Sequence, residues 1–225
     1  MYIERLCNRI SNKLQIELNL DEDKKSIIEY GLFALFNMGI SILLVAIIGL
    51  IIGVIVEALI ISFTGAILRK FSGGAHASSA ISCSILGVII SVLPAKIIKD
   101  FSLNINFTII LCLFIFTICF FTIYKLAPVD SPNKPIKKKE KIKKLKKGSI
   151  IILTIYMVIV IFNIILYHIT ENSTFLVYSN CIYVGTLWQV FTLTKLGHSV
   201  VNILDHILIK ILNILRGSKN EKIKQ

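Results

Sequence analysis

From Gly31 to Leu68 the sequence carries a single charged side chain, Glu57. The run is about twice the ~20 residues that one helix needs to cross a bilayer. Gly49 and Gly53 supply a tight turn near its middle, because glycine adopts left-handed backbone angles without steric cost. Two membrane-crossing helices, near 32–49 and 54–68, satisfy the backbone hydrogen bonds of such a run in lipid. Further apolar blocks follow near 77–95, 103–126, 149–167 and 174–194, parted by charged clusters around 69–70 and 134–147. The expectation is an all-α, polytopic helical membrane protein with about six transmembrane helices.

The ends read differently. Ile3, Leu6, Ile10 and Leu14 form a stripe opposite Glu4, Arg5, Arg9 and Lys13. Near the other end, Leu196, Val200, Ile203, Leu204, Ile207, Ile211 and Leu215 share a helical face, with Lys210 and Arg216 elsewhere. Both patterns suit amphipathic helices lying at the membrane interface, in contact with lipid headgroups. The chain therefore divides into an N-terminal interfacial segment (1–30), a transmembrane domain (31–194), and a C-terminal amphipathic helix with a basic tail (195–225). The first thirty residues carry charges throughout and show no cleavable signal pattern, so they are expected to be retained.

The formal net charge of +12 invites a nucleic-acid reading. The lysines and arginines sit in short connections beside apolar blocks, however, where they determine orientation in the membrane instead. Six spans place both termini, the Arg69–Lys70 connection and the run of nine lysines within 134–147 on one side. By the positive-inside rule that side is the cytoplasm. The lysine run serves as a topology determinant or as an electrostatic recruiter of an acidic substrate. The five cysteines, at 7, 83, 112, 119 and 181, lack the spacing of a disulfide framework or a zinc site. No metal and no cofactor is expected.

Chemistry is sought where a nucleophile and a base lie near a polar break. His76 and Cys83 flank the break at RKFSGGAHASS, and an imidazole can draw the proton from a thiol to make the reactive thiolate. Residues seven apart in a regular helix are separated by roughly 10 Å along its axis. The pair can meet only if the chain around Gly73–Gly74 and Ala77–Ser82 is not regular helix, or if closure on substrate brings the two groups together. Arg69 and Lys70 either favour a thiolate, hold a substrate carboxylate, or anchor the end of a span. Gly73 and Gly74 either form a hinge or admit a substrate backbone. A small transporter with Glu57 and Glu29 along a polar path, and a non-catalytic membrane scaffold, are the competing readings.

The stretch RKFSGGAHASSAISC, Arg69 to Cys83, resembles the signature of AgrB, the accessory gene regulator protein B of Gram-positive quorum sensing: a basic residue, a glycine pair, His-Ala, and a cysteine seven after the histidine. APVDSPNKPI at 127–136 resembles the family's second landmark, and the resemblance covers roughly residues 1–195. It implies a membrane-embedded cysteine endopeptidase of the cell membrane that removes the C-terminal tail of an AgrD-type propeptide and promotes thiolactone formation. Gly73, Gly74 and Lys70 are candidate substrate contacts on their own chemistry, and the positive-inside rule puts the site on the cytoplasmic side; by the resemblance, Cys83 would be the nucleophile, His76 the general base and Arg69 an accessory residue. It also implies a homodimer. The motif supplies no third catalytic member, and neither Glu29 nor Glu57 is assigned that role.

Overall fold

A computed structural model describes residues 2–75, 77–101, 104–129 and 139–222. The described chain is all-α: α1 (Tyr2–Glu17), α2 (Glu22–Ile52), α3 (Ile55–Ser72), α4 (Ala80–Asp100), α5 (Ile105–Leu126), α6 (Lys139–Thr170), α7 (Thr174–Phe191) and α8 (Lys195–Lys222). Four of these, α2, α4, α5 and α6, are long and apolar enough to cross a membrane. The six predicted spans are therefore not established as six.

The physical reason lies in α3 and α7, which pack against each other and belong to both apolar cores. One core joins Leu68 of α3 and Tyr183 and Val190 of α7 to Phe116 and Ile123 of α5 and Leu153 and Val160 of α6. The other joins Ala58 and Ile61 of α3 and Cys181 of α7 to Val45 of α2 and Val92 of α4. A helix walled by protein tolerates polar side chains that lipid would penalise, provided they find partners. Accordingly α7 buries Ser179, Asn180, Thr186 and Gln189, and α3 carries Glu57, Arg69 and Lys70. Gly185 lets the two backbones approach closely: a Cβ there would stand 2.7 Å from the Ile61 carbonyl oxygen, the role small residues commonly serve between membrane helices.

The turns follow from the sequence. α2 ends at Gly53 in the left-handed region (φ 78°), whose N–H bonds the carbonyls of Gly49 and Leu50, so the glycine turn falls where it was expected. α5 stops at Leu126, just before Ala127–Pro128, as a helix running toward a proline should. The lysine run differs from expectation. Its part from Lys139 onward is helical and forms the start of α6, while 130–138, with the rest of the second landmark and the first lysines, lie outside the described residues.

The carboxylates that a transporter reading needs are engaged by the chain itself. Glu29 accepts from Asn8 at 3.3 Å and from Ser11 at 3.4 Å, tying α1 to α2. Glu57, buried in the first turn of α3, pairs with Lys99 at 3.0 Å, and Lys99 also donates to the Gly53 carbonyl at 2.8 Å. Removing the lysine strands a buried charge, whereas removing both charges does not. Lys99→Met is therefore expected to destabilise the detergent-solubilised protein by about 1–3 kcal/mol, and Glu57→Gln/Lys99→Met by less. Thermal unfolding of the three proteins checks this order.

Candidate active site

Between the end of α3 at Ser72 and the start of α4 at Ala80 the described chain is not helical. Residues 73–75 and 77–79 thus interrupt the helix between the two positions, whereas Ala80–Ser82, part of the stretch expected to be irregular, already belong to α4. His76 itself lies outside the described residues.

Cys83 sits in the first turn of α4. Ser79 caps that helix, its Oγ accepting from the Ser82 N–H at 3.0 Å and donating to Ser82 Oγ at 2.8 Å. The Cys83 N–H bonds the Ser79 carbonyl at 3.0 Å. A helix N-terminus presents unpaired N–H groups and favours negative charge nearby. Cys83 is half-buried, while Cys7, Cys112, Cys119 and Cys181 are buried; all five are free thiols. Ser84, next along, holds α4 against α2 through a 2.7 Å contact with Ser41.

Arg69, in the last turn of α3, reaches into the same place. Its Nη2 donates to the Ala75 carbonyl, and its guanidinium interacts electrostatically with Cys83. Its buried Nε has no hydrogen-bond partner among the described residues. A donor left unpaired at such a point costs free energy unless a further acceptor arrives. Lys70, by contrast, is exposed, and its ammonium lies 6.0 Å from the centre of the Phe71 ring.

The glycine pair is held tightly. Gly73 forms a parallel bridge with Val129, and the Val129 N–H bonds the Ser72 carbonyl at 2.9 Å. The two sequence landmarks thus meet in space. Both glycines have positive φ, 70° and 127°. A Cβ on Gly73 would stand 2.0 Å from the Val129 oxygen, and one on Gly74 would stand 2.6 Å from Thr192 Oγ1. The close backbone approach that the pair permits is made here by the chain's own 129 and 192 positions.

Three residues of the site escaped the sequence reading. Gln189, 1% exposed, donates to the Gly73 carbonyl at 2.7 Å and to Ser72 Oγ at 3.0 Å. Thr192 accepts from the Ala75 N–H at 3.1 Å through its carbonyl. A glutamine at membrane depth is itself a signal, since it needs partners inside the bundle. The third is Asp205 of α8, 3% exposed, which accepts from the Ser78 N–H at 2.8 Å. Burial works to raise its pKa, but hydrogen bonds from Ser78 and Ser82 outweigh that and hold it below the ordinary aspartate value. Its signal was faint: Val201, Asn202, Leu208 and Ile209 occupy the positions three and four residues away, so no cation stands one helical turn from it, although the adjacent His206 favours its charge. His168 is exposed at the end of α6, against Tyr167.

The family profile described as Accessory gene regulator B matches residues 7–193. This chain belongs to the AgrB family. It is 45% identical over 213 residues to a putative AgrB-like protein of Clostridium perfringens (strain SM101), covering 93% of this chain and all of that protein. Putative AgrB-like protein 2 of C. perfringens strain 13 is 42% identical with the same coverage. Accessory gene regulator protein B of Staphylococcus intermedius is 30% identical over 135 residues, 60% of this chain and 61% of that protein. No solved structure matches. Membership of AgrB supports a role in processing the quorum-sensing peptide of the accessory gene regulator system, where the AgrD propeptide is the family's partner. The several long apolar helices agree with a membrane protein.

Proposed function

We propose that this AgrB protein is a cysteine endopeptidase that releases the C-terminal tail of an AgrD-type propeptide and transfers the remaining acyl group to a thiol of the same peptide. The Cys83 thiolate attacks the scissile carbonyl, the C–N bond breaks, and the tail amine leaves with a proton from His76, which had taken it from the thiol. The resulting thioester passes its acyl group to a cysteine of the bound peptide, closing the thiolactone and regenerating Cys83. A serine nucleophile would lose the near-balance between two thioesters. Going from amide to thioester is uphill, so removal of the tail draws the first step forward.

The observation that carries this reading is that Arg69, at the end of α3, binds the Ala75 carbonyl in the non-helical break that leads into the helix bearing Cys83. Arg69 stabilises negative charge developing at the reacting centre. Gly73 and Gly74 shape the entry for the substrate backbone, and the exposed Lys70 meets a substrate carboxylate. The site and both termini face the cytoplasm, and the protein works as a homodimer.

The test is co-expression with the AgrD-type propeptide and mass spectrometry of the peptides. Tail release with an intact thiolactone is expected. Release that proceeds equally without this chain would remove the proposal.

A further inference from the structure

The C-terminal helix reaches the candidate site through one face only. Gly197, Val201 and Asp205, four residues apart, are buried, while Leu196, Ile203, Ile207, Ile211 and Ile214 on the same helix are 46–73% exposed. A face of glycine, valine and aspartate gains little by burial unless the aspartate is used, because a buried carboxylate without partners is costly. Its hydrogen-bond partner lies in the short segment between His76 and Cys83, the Ser78 N–H at 2.8 Å; the Ser78 and Ser82 hydroxyls of that segment and His206 on its own helix also favour its charged form. Ser82 is also bound to the Ser79 cap of α4. One carboxylate thus holds the segment at Ser78, two residues before the start of the helix that bears Cys83. Its Oδ1 is buried with no hydrogen-bond partner among the described residues, so it retains capacity for one more donor of the site.

We propose that Asp205 is a positioning residue for the reaction, holding the Ser78–Ser82 segment so that the groups at 76 and 83 are presented together. Asp205 lies beyond the residues 7–193 that the family profile matches, so this chain supplies from its C-terminal helix a support that the family pattern does not specify. The inference rests on the cysteine peptidase reading. It assigns α8 a part in catalysis: α8 clamps the one non-helical connection on which the nucleophile's helix begins. A misplacement of about 1 Å at reacting groups costs up to roughly 100-fold in rate.

The test uses the full chain reconstituted in liposomes with the propeptide, comparing native protein with Asp205→Ala, Asp205→Asn and Asp205→Glu. The alanine variant is expected to slow tail release at saturating propeptide by about 10–100-fold with KM within about twofold. Asp205→Asn keeps one acceptor oxygen for Ser78 and loses less, and Asp205→Glu, which restores the carboxylate, recovers part of the rate. A charged maleimide supplies a second readout, because Cys83 is the one cysteine of the five that is not buried. Its labelling rate should change in the alanine variant while the other four thiols stay protected. Release within twofold of native for both alanine and asparagine variants overturns the proposal, and so does loss of activity accompanied by labelling of all five cysteines, which reports collapse of the fold. Cys83→Ala separates the two readings. If it still releases the tail, the peptidase reading itself fails; if it is inactive while Asp205→Ala is native, only the positioning role fails.

Discussion

Cys83→Ala is expected to abolish tail release, with a rate loss on the order of 10⁴-fold or more, while the protein still inserts and still binds the propeptide. Deleting a covalent nucleophile removes the whole pathway through the acyl-enzyme, and what survives is only the rate that binding and neighbouring dipoles provide. His76→Ala is expected to lose about 10²–10⁴-fold, the usual worth of a positioned acid–base group. The double variant should be no slower than Cys83→Ala alone, because residues that act as one unit are not additive. Cys83→Ser is the sharper probe of cyclisation. An oxygen ester formed there would lie far from balance with a thiolactone, so any residual turnover should yield less of the cyclic peptide. Mass spectrometry of the co-expressed propeptide, with membrane insertion checked by fractionation, measures all four variants. Native release by Cys83→Ala would exclude the thiol mechanism.

These outcomes bear on a site whose parts were unequally visible in the sequence. The glycine turn at Gly49–Gly53 and the stop before Pro128 were legible because they depend on a residue's own backbone geometry. Arg69, Gly73, Gly74 and Cys83 were legible as a group, through family pattern more than through chemistry. Spacing alone left the His76–Cys83 pair too far apart on a continuous helix, and residues 73–75 and 77–79 on either side of position 76 are not helical.

What the sequence hid was which helices lie inside. Apolarity reports contact with lipid, so α2, α4, α5 and α6 stood out, whereas α3 and α7 are the central pair and are the more polar for it. The polar residues that blur their spans are the ones that build the candidate site: Gln189 holds Gly73, and Arg69 holds the Ala75 carbonyl. Asp205 was hidden for another reason. Helical periodicity shows which residues share a face, but the contact from Asp205 to Ser78 joins positions far apart in the chain. Local pattern carries no information about such a partner.

The same geometry makes the glycine pair the most sensitive structural point of the site. Gly73→Ala is expected to abolish tail release and to lower the thermal midpoint, although alanine adds only one methyl group. Its Cβ would meet a backbone oxygen, that of Val129, at 2.0 Å, and a carbonyl cannot rotate away as a side chain can. The φ of 70° adds the strain of a left-handed conformation in a non-glycine residue, about 1–3 kcal/mol. Relief requires parting 73 from 129, which breaks the bridge between the two landmarks and shifts the Ala75 carbonyl that Arg69 holds. Gly74→Ala should be milder, because its nearest obstacle is the Thr192 hydroxyl, a side-chain atom, though its φ of 127° remains unfavourable. Gly39→Ala and Gly87→Ala provide the controls: a Cβ at either meets nothing within 4 Å, and alanine in a helix is favoured over glycine by about 1 kcal/mol. Both controls should keep full release and an equal or higher thermal midpoint. If Gly73→Ala instead matches the controls in both activity and stability, the close contact with Val129 is not a requirement of the active protein, and the 73–75 segment must take up its working shape by some other support.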